Sequence, residues 1–415
     1  MSAFADRTDA GHGRPRGLTI SYAAIKRGTL WLLAACSGFA LIEPSPYELV
    51  FLLTLFVFAL TGVRFSQKLI PLALLLLLYN LGGVVSLVPW MDEAPSVRFT
   101  AVSVYLMITA IFLAAIMADD AYGRIETLRK GYLFAAWCAS FAGLLGYFDV
   151  AGLGSVFSLY GRASGTFKDP NVLGPFLVLP IVFALQHILI GRIGLLRGLA
   201  IMSLPLAALF LTFSRGAWGN LAAAALMMIA LTFLTSPNAS RRTRIVFLTL
   251  VALGALVAAL LVALSFEAIR EVFEVRATLD QSYDQGVTGR FGNQLRAIPL
   301  LLDLPNGFGP LRFRFFFPED PHNVYINAFA SYGWLGGFAW LGLMGATAYV
   351  GWTLVFRRTP TQNHAIVLWS VLFVTILQGI QIDTDHWRHF YLLLGLVWGL
   401  AALKDPATRD PAVAR

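Results

Sequence analysis

Apolar residues along this chain come in long unbroken runs, with neither the stripe of a soluble amphipathic helix nor the alternation of a half-buried strand. Most runs are about 16 to 23 residues long, the length a helix needs to cross a hydrocarbon core. Twelve runs predict twelve transmembrane helices, over residues 28–42, 47–63, 69–87, 98–117, 131–149, 172–190, 197–213, 217–235, 245–264, 334–356, 364–381 and 388–403. The expected fold is all-α: a polytopic integral membrane protein with about twelve transmembrane helices and one large outer loop between helices 9 and 10. Residues 1–27 and 404–415 read as cytosolic tails, 28–264 as helices 1–9, 265–333 as the outer loop with amphipathic helices, and 334–403 as helices 10–12. The basic segment Met1–Arg27 resembles a tail more than a signal peptide, which predicts a retained first helix.

Composition agrees with the pattern: 58% of residues are hydrophobic and 13% charged. Cys36 and Cys138 fall inside predicted spans, so neither points to a disulfide or a metal site. A formal net charge of +8 raises the question of nucleic acid. The basic residues are scattered over loops rather than gathered with aromatics on one soluble face, so no nucleic-acid partner is expected.

Charge also predicts orientation. With a cytosolic N-terminus, seven segments face the cytosol, each with at least two Lys or Arg, together 20 of the 31. The outer side keeps Lys168 and ten arginines, namely Arg98, Arg162, Arg215, Arg270, Arg276, Arg290, Arg296, Arg312, Arg314 and Arg388. Positive charge on the translocated side runs against the insertion bias, which marks these arginines as a group. The spans are nearly free of charge at mid-depth, whereas ion-coupled carriers place ionisable groups there. Polar chemistry on the outer surface favours an enzyme at the outer leaflet over a transporter.

Four outer segments carry candidate chemistry. In "YGRASGTFKDPNVLG" (160–174), Asp169 is an expected N-cap and Pro170 a first helical residue, with Asn171 in the first turn and Arg162 and Lys168 upstream. Free N–H groups at that helix start, with two cations, would suit an anion. In "FSRGAWG" (213–219), a short connection holds Arg215 at the outer lip, where a guanidinium can grip a lipid phosphate in bidentate fashion. The third is the outer loop. It opens with "FEAIREVFEV", read as a helix lying on the membrane, and continues with Arg290 near the start of a second helix and a turn at Pro305-Asn306-Gly307. In "PEDPHNVYINAFASYGWLGG" (318–337), Asp320 and Pro321 repeat the cap-then-proline pattern, which predicts His322 in the first turn of a helix. An outward-facing imidazole is a natural general base near neutral pH. Finally, "QIDTDHWRHF" (381–390) gives Asp383 and Asp385 ligand-like spacing, a weak alternative metal site.

"GTFKDPNVLG", "SRGAWG", "GRFGNQLRAIPLL…PNGFGP" and "HNVYINAFASYGWLGG", in this order within this topology, resemble the O-antigen ligase and polymerase superfamily of bacterial membrane glycosyltransferases, which includes exopolysaccharide polymerases. The resemblance implies a C-type glycosyltransferase-like fold in the inner membrane, with the large loop and the active site facing the periplasm. It implies a metal-independent inverting enzyme without cofactors that transfers a glycan from undecaprenyl diphosphate to a hydroxyl of another glycan or of a lipid A core. Its partners are that donor, the acceptor and membrane lipids. Arg215 and Arg290 match arginines that hold the diphosphate, with Arg162 and Lys168 as further donor-binding positions. His322 matches the base proposed to take the acceptor's proton, with Asn171, Asp320, Asn323 and Tyr325 in support. A lipid-linked oligosaccharide flippase or other polysaccharide transporter is the alternative.

Overall fold

Ser21, Ser45, Asp120, Asp169, Ser214 and Asn323 each turn a side-chain oxygen onto a backbone N–H within the next three residues, and a helix starts behind each. A computed structural model describes residues 21–267, 270 and 286–403. The described helices are α1 (Tyr22–Cys36), α2 (Pro46–Ala59), α3 (Ile70–Leu87), α4 (Ala94–Ile116), α5 (Ala121–Tyr147), the single turn α6 (Gly154–Phe157), α7 (Pro170–Leu189), α8 (Leu195–Leu211), α9 (Arg215–Thr235), α10 (Ala239–Leu264), α11 (Arg290–Asp303), α12 (Val324–Val355), α13 (Gln362–Gln378) and α14 (Arg388–Ala401). Between α6 and α7, β1 (Ser158–Leu159) and β2 (Arg162–Ala163) form a small antiparallel hairpin that pairs Ser158 with Ala163 and Leu159 with Arg162.

A helix overlaps every one of the twelve predicted runs. Among the described residues, five helical stretches are long and apolar enough to cross a membrane: Gln67–Trp90, Ala94–Ile116, Pro170–Leu189, Arg215–Thr235 and Val324–Val355. α2, α8, α13 and α14 are apolar but shorter. Leu52, Phe56, Leu74 and Leu77 stand exposed on helices whose other faces pack inward, as lipid-facing side chains do. α1 departs from expectation. It starts at Tyr22 because Ser21 caps it, and it ends at Cys36, after which Gly38 packs on the backbone of Ala135. Lys26 and Arg27, expected in the tail, therefore lie on the helix, and Lys26 Nζ sits 4.8 Å from the centre of the Phe58 ring. Cys36 and Cys138 are both free thiols. The "FEAIREVFEV" helix falls largely on residues outside the described ones.

α7 is the hub. It packs against α8, α9 and α13, and nearly all its side chains are buried. Around it α1 lies on α5, α14 on α4, and α3 on α12. The last pair meets closely: a Cβ on Gly82 would come within 2.6 Å of the backbone of Tyr332 and Gly336, the small-residue approach that helices use where lipid offers no hydrophobic drive.

Two of the four prolines inside described helices free carbonyls, four residues earlier, that a neighbouring helix satisfies. Pro180 frees the carbonyl of Phe176, which accepts from Tyr132 Oη at 2.9 Å. Pro205 frees that of Ile201, which accepts from Trp137 Nε1 at 3.1 Å. Both donors come from α5, so one helix satisfies the defects of two neighbours. Tyr132→Phe is expected to destabilise the detergent-solubilised protein by about 1–2 kcal/mol. In a Pro180→Leu background the helix supplies its own donor, so the same substitution should cost much less. Equal costs in the two backgrounds, measured by thermal or denaturant unfolding, would refute the compensation.

Candidate functional site

Helices stop at one end of the bundle in four places, and the predicted site residues sit at these stops. At the start of α7, Asp169 accepts from Asn171 N at 2.7 Å, so the cap forms as expected. Arg162 on β2 donates through Nε to the carbonyl of Thr212 at 2.6 Å and through Nη2 to Asn171 Oδ1 at 2.8 Å. It thereby ties the hairpin to the entry of α7 and the end of α8. Lys168 pairs with Glu43 at 2.6 Å, and that hydrogen bond, with the lysine's charge, holds the Glu43 carboxyl below the usual range. The expected anion pocket at this helix start is thus occupied by the chain's own groups: one N–H by Asp169, one cation by Glu43, the other by Thr212 and Asn171.

Arg215 is not in a connection but is the first residue of α9, behind the N-cap Ser214. It is half-buried, as are Arg290 and His322. The next residue, Gly216, lies so close to α13 that a Cβ there would be 3.2 Å from Gln378 Nε2. One turn on, Asn220 Nδ2 donates to Gln378 Oε1.

α11 starts at Arg290, as the sequence indicates. Arg290 Nη1 donates to the carbonyl of Gln381 at 3.3 Å, and the guanidinium lies 4.9 Å from the centre of the Phe291 ring. The turn after α11 is locked into α12, where the helix breaks at Gly333 (φ 64°, ψ −167°). Trp334 N donates to Pro305 O at 2.7 Å, and Phe308 N and Gly309 N donate to Ala330 O at 2.7 and 3.1 Å. Gly333 tolerates the positive φ, and a Cβ there would strike Pro305 O and Asn306. The expected tenth span began at Trp334; the helix instead runs from Val324 and is interrupted where that span was to start.

His322 is the main correction. It precedes α12 rather than lying in its first turn: the N-cap is Asn323, whose Oδ1 accepts from Tyr325 N at 3.0 Å and Ile326 N at 3.2 Å. Asp320, expected as the cap, faces Arg314 at 3.3 Å on the surface. His322 itself has φ 43°, a left-handed conformation that costs a residue with a Cβ. Two side chains hold it there. Gln294 on α11 donates to Pro321 O at 2.7 Å. Asp383, between α13 and α14, accepts from the backbone N–H groups of His322 and Asn323, the latter at 3.1 Å. Tyr325 Oη donates to Ile376 O at 2.8 Å and Val324 N to Gly379 O at 2.8 Å, fastening the start of α12 to the end of α13.

The six residues Gln378–Asp383 therefore touch all three parts of the candidate site: the first turn of α9 behind Arg215, Arg290 on α11, and the His322 backbone. Asp385 is used structurally, accepting from Tyr79 Oη at 3.3 Å and lying 3.1 Å from His386 Nδ1. Among the described residues no three His, Cys, Asp or Glu side chains are grouped as a metal would require. Several outer arginines are also structural: Arg312 pairs with Glu93 and stacks 3.4 Å from the Trp90 ring centre, and Arg388 binds Glu48 through Nε at 2.8 Å. Arg276 lies outside the described residues.

Residues 200–341 match the O-antigen ligase family. This match supports the resemblance to the O-antigen ligase and polymerase superfamily, and with it a glycosyltransferase-like enzyme acting on lipid-linked glycans in a membrane. It spans α8 to the middle of α12, and so covers Arg215, Arg290, His322, Asn323 and Tyr325; Arg162, Lys168, Asn171, Asp383 and Asp385 lie outside it. No curated protein matches the chain.

Sequence reading missed Gln294, Gln378 and the clamping role of Asp383, because their partners are distant in the chain and no local pattern marks them. Burial, then the charges of Asp385 and Asp320, push the Asp383 carboxyl well above the usual range, against the two N–H donors that favour its ionised form. A carboxyl whose pKa is higher in the folded than in the unfolded chain contributes stability that is full below the unfolded value, about 3.9, and is lost as pH rises through the folded value. Asp383→Asn keeps an acceptor and removes the charge, so its stability should vary less with pH above about 4 than that of the parent. Asp383→Leu leaves two N–H groups unpaired and should be destabilised by about 2 kcal/mol or more at every pH. Parallel pH profiles for the parent and Asp383→Asn would contradict this account.

Proposed function

We propose that the chain is a twelve-span bacterial inner-membrane glycosyltransferase that moves a glycan from undecaprenyl diphosphate to an acceptor sugar hydroxyl at the periplasmic face. The acceptor oxygen attacks the anomeric carbon from the side opposite the diphosphate. The new glycosidic bond forms as the bond to the diphosphate oxygen breaks, and the configuration inverts. Undecaprenyl diphosphate departs with the electron pair, and His322 takes the acceptor's proton. Arg215 and Arg290 stabilise the charge that develops on the leaving group, a role guanidinium groups can fill without a metal. A sugar hydroxyl is a weak nucleophile at neutral pH, so a base in hydrogen-bond reach contributes about 10²- to 10⁴-fold.

The observation that carries this reading is the meeting of the first turn of α9, Arg290 and the His322 segment on Gln378–Asp383, inside and beside the region matched by the O-antigen ligase family. Fixing His322 by its backbone leaves the imidazole available for chemistry. Arg162 and Lys168 are assigned a supporting role in shaping the entry of α7, together with Asn171. The flippase alternative draws no support from the family match.

His322→Ala is expected to lower turnover by about 10²-fold or more while donor-lipid binding stays near the parent level; lost binding would move His322 to the donor site instead. Arg290→Lys is expected to lose most activity, since an ammonium does not reproduce bidentate geometry. Both are measured with purified lipid-linked donor in the presence of a chelator. Activity that vanishes on chelation and returns with a divalent cation would overturn the arginine mechanism. Deleting the gene and sizing surface glycans separates the two acceptor classes: single-repeat products mean a polymerase, full-length polymer stranded on the carrier a ligase.

A further inference from the structure

At the end of the bundle opposite this site, α5, α7 and α8 enclose a cavity of about 90 Å³. Its walls are mostly apolar, with Leu133, Leu179, Phe183 and Ala184 among them; the ionisable lining is Arg129, His187 and Arg197 beside Tyr132, whose hydroxyl is given to Phe176 O. Each basic group has unused donor capacity. His187 is 7% exposed, yet its imidazole makes no hydrogen bond among the described residues. Arg129 is held by Glu126 through Nε (3.1 Å) and Nη2 (2.7 Å), and Glu126 is held in turn by His364 Nε2 of α13 at 2.7 Å; Arg129 Nη1 makes no hydrogen bond among the described residues. Arg197 is exposed at the mouth with no ion pair among the described residues. Exposed Arg192 follows α7, and Arg244 Nη2 donates to Ile188 O at 3.1 Å. Glu126 is the acid touching this lining, and it already serves both His364 and Arg129.

His187 lines the cavity with hydrogen-bonding capacity that a ligand there can use. Two guanidinium groups and an imidazole fit a phosphate oxyanion, and the apolar walls supplied by Leu133, Leu179, Phe183 and Ala184 fit a hydrocarbon chain. We infer that this cavity is a binding site for an anionic phospholipid of the leaflet opposite the glycosyl-transfer site, with its phosphate on Arg129, His187 and Arg197 and the top of one acyl chain against Leu133, Leu179 and Ala184. The Glu126–His364 pair presets Arg129 for this contact and joins α5 to α13, so lipid binding stabilises the packing of α5, α7 and α13 together.

Free phosphate would satisfy the same cations, so the experiment includes both. Full-length protein is purified in mild detergent and its retained lipids are counted by native mass spectrometry. Thermal unfolding is then followed with added phosphatidylglycerol, phosphatidylcholine or inorganic phosphate. Arg197→Gln removes a charge from an exposed position, and Ala184→Trp fills the cavity. The parent is expected to retain phosphatidylglycerol and to gain stability from it alone, and Arg197→Gln is expected to weaken that effect about ten-fold, the worth of one charge-assisted hydrogen bond. Ala184→Trp is expected to abolish it. Equal retention of phosphatidylcholine, equal protection by inorganic phosphate, or an undiminished effect in Ala184→Trp would each overturn the assignment.

Discussion

Backbone amides away from water must find partners within the protein, and this constraint organises the molecule. Regular helix meets it locally, which is why long apolar runs become helices. Every departure from helix then needs a named compensating group. Tyr132 and Trp137 of α5 answer Pro180 and Pro205; Pro305 and the Asn306 turn answer the break at Gly333; Gln294 and Asp383 answer the left-handed turn at His322. The first two defects are closed by α5, the Pro180 one inside the bundle and the Pro205 one at its surface. The last two lie at one end, where α11, α12 and the α13–α14 connection meet.

That difference separates scaffold from site. A proline in mid-helix, with its stranded carbonyl capped by a tyrosine or tryptophan, leaves nothing for a substrate to bind. At His322 the compensation acts only on the backbone: both N–H groups go to Asp383, the carbonyl before it goes to Gln294, and the side chain is left out of the arrangement. At α9, Ser214 satisfies the helix start and Asn220 anchors Gln378 close to the first turn that carries Arg215. A backbone fixed in this way sets where a functional side chain starts from, which is one part of preorganisation.

Local signals in the sequence were sufficient for much of this. Asp169 caps α7 and α11 starts at Arg290 because these starts depend on neighbours a few residues away. The same reasoning failed at Asp320-Pro321, a pair with the form of a helix start. A carboxylate sixty residues away in the chain takes the N–H groups of His322 and Asn323, and Asn323 becomes the cap. A contact of that separation leaves no trace in local pattern. The end of α1 failed likewise, since a close approach of Gly38 to Ala135 sets it. Family resemblance reached Arg215, Arg290 and His322, which no periodicity marks, but it did not reach Gln294, Gln378 or the clamping role of Asp383.

The outer arginines looked like one population in the sequence, and the fold divides them. Arg312 on Trp90 and Glu93, Arg388 on Glu48, and Arg314 beside Asp320 are neutralised where they stand and fasten loops to helix ends. Arg162 belongs with them in effect, since a carbonyl and an amide oxygen hold it to the α7 entry. Most of the group is thus committed to holding the fold, and Arg215 and Arg290 stand apart from it by their position. These two flank Gln378–Gln381, the one connection that also leads to Asp383 and His322. Position relative to that connection, more than charge, is what sets Arg215 and Arg290 apart from the arginines that pair with acids.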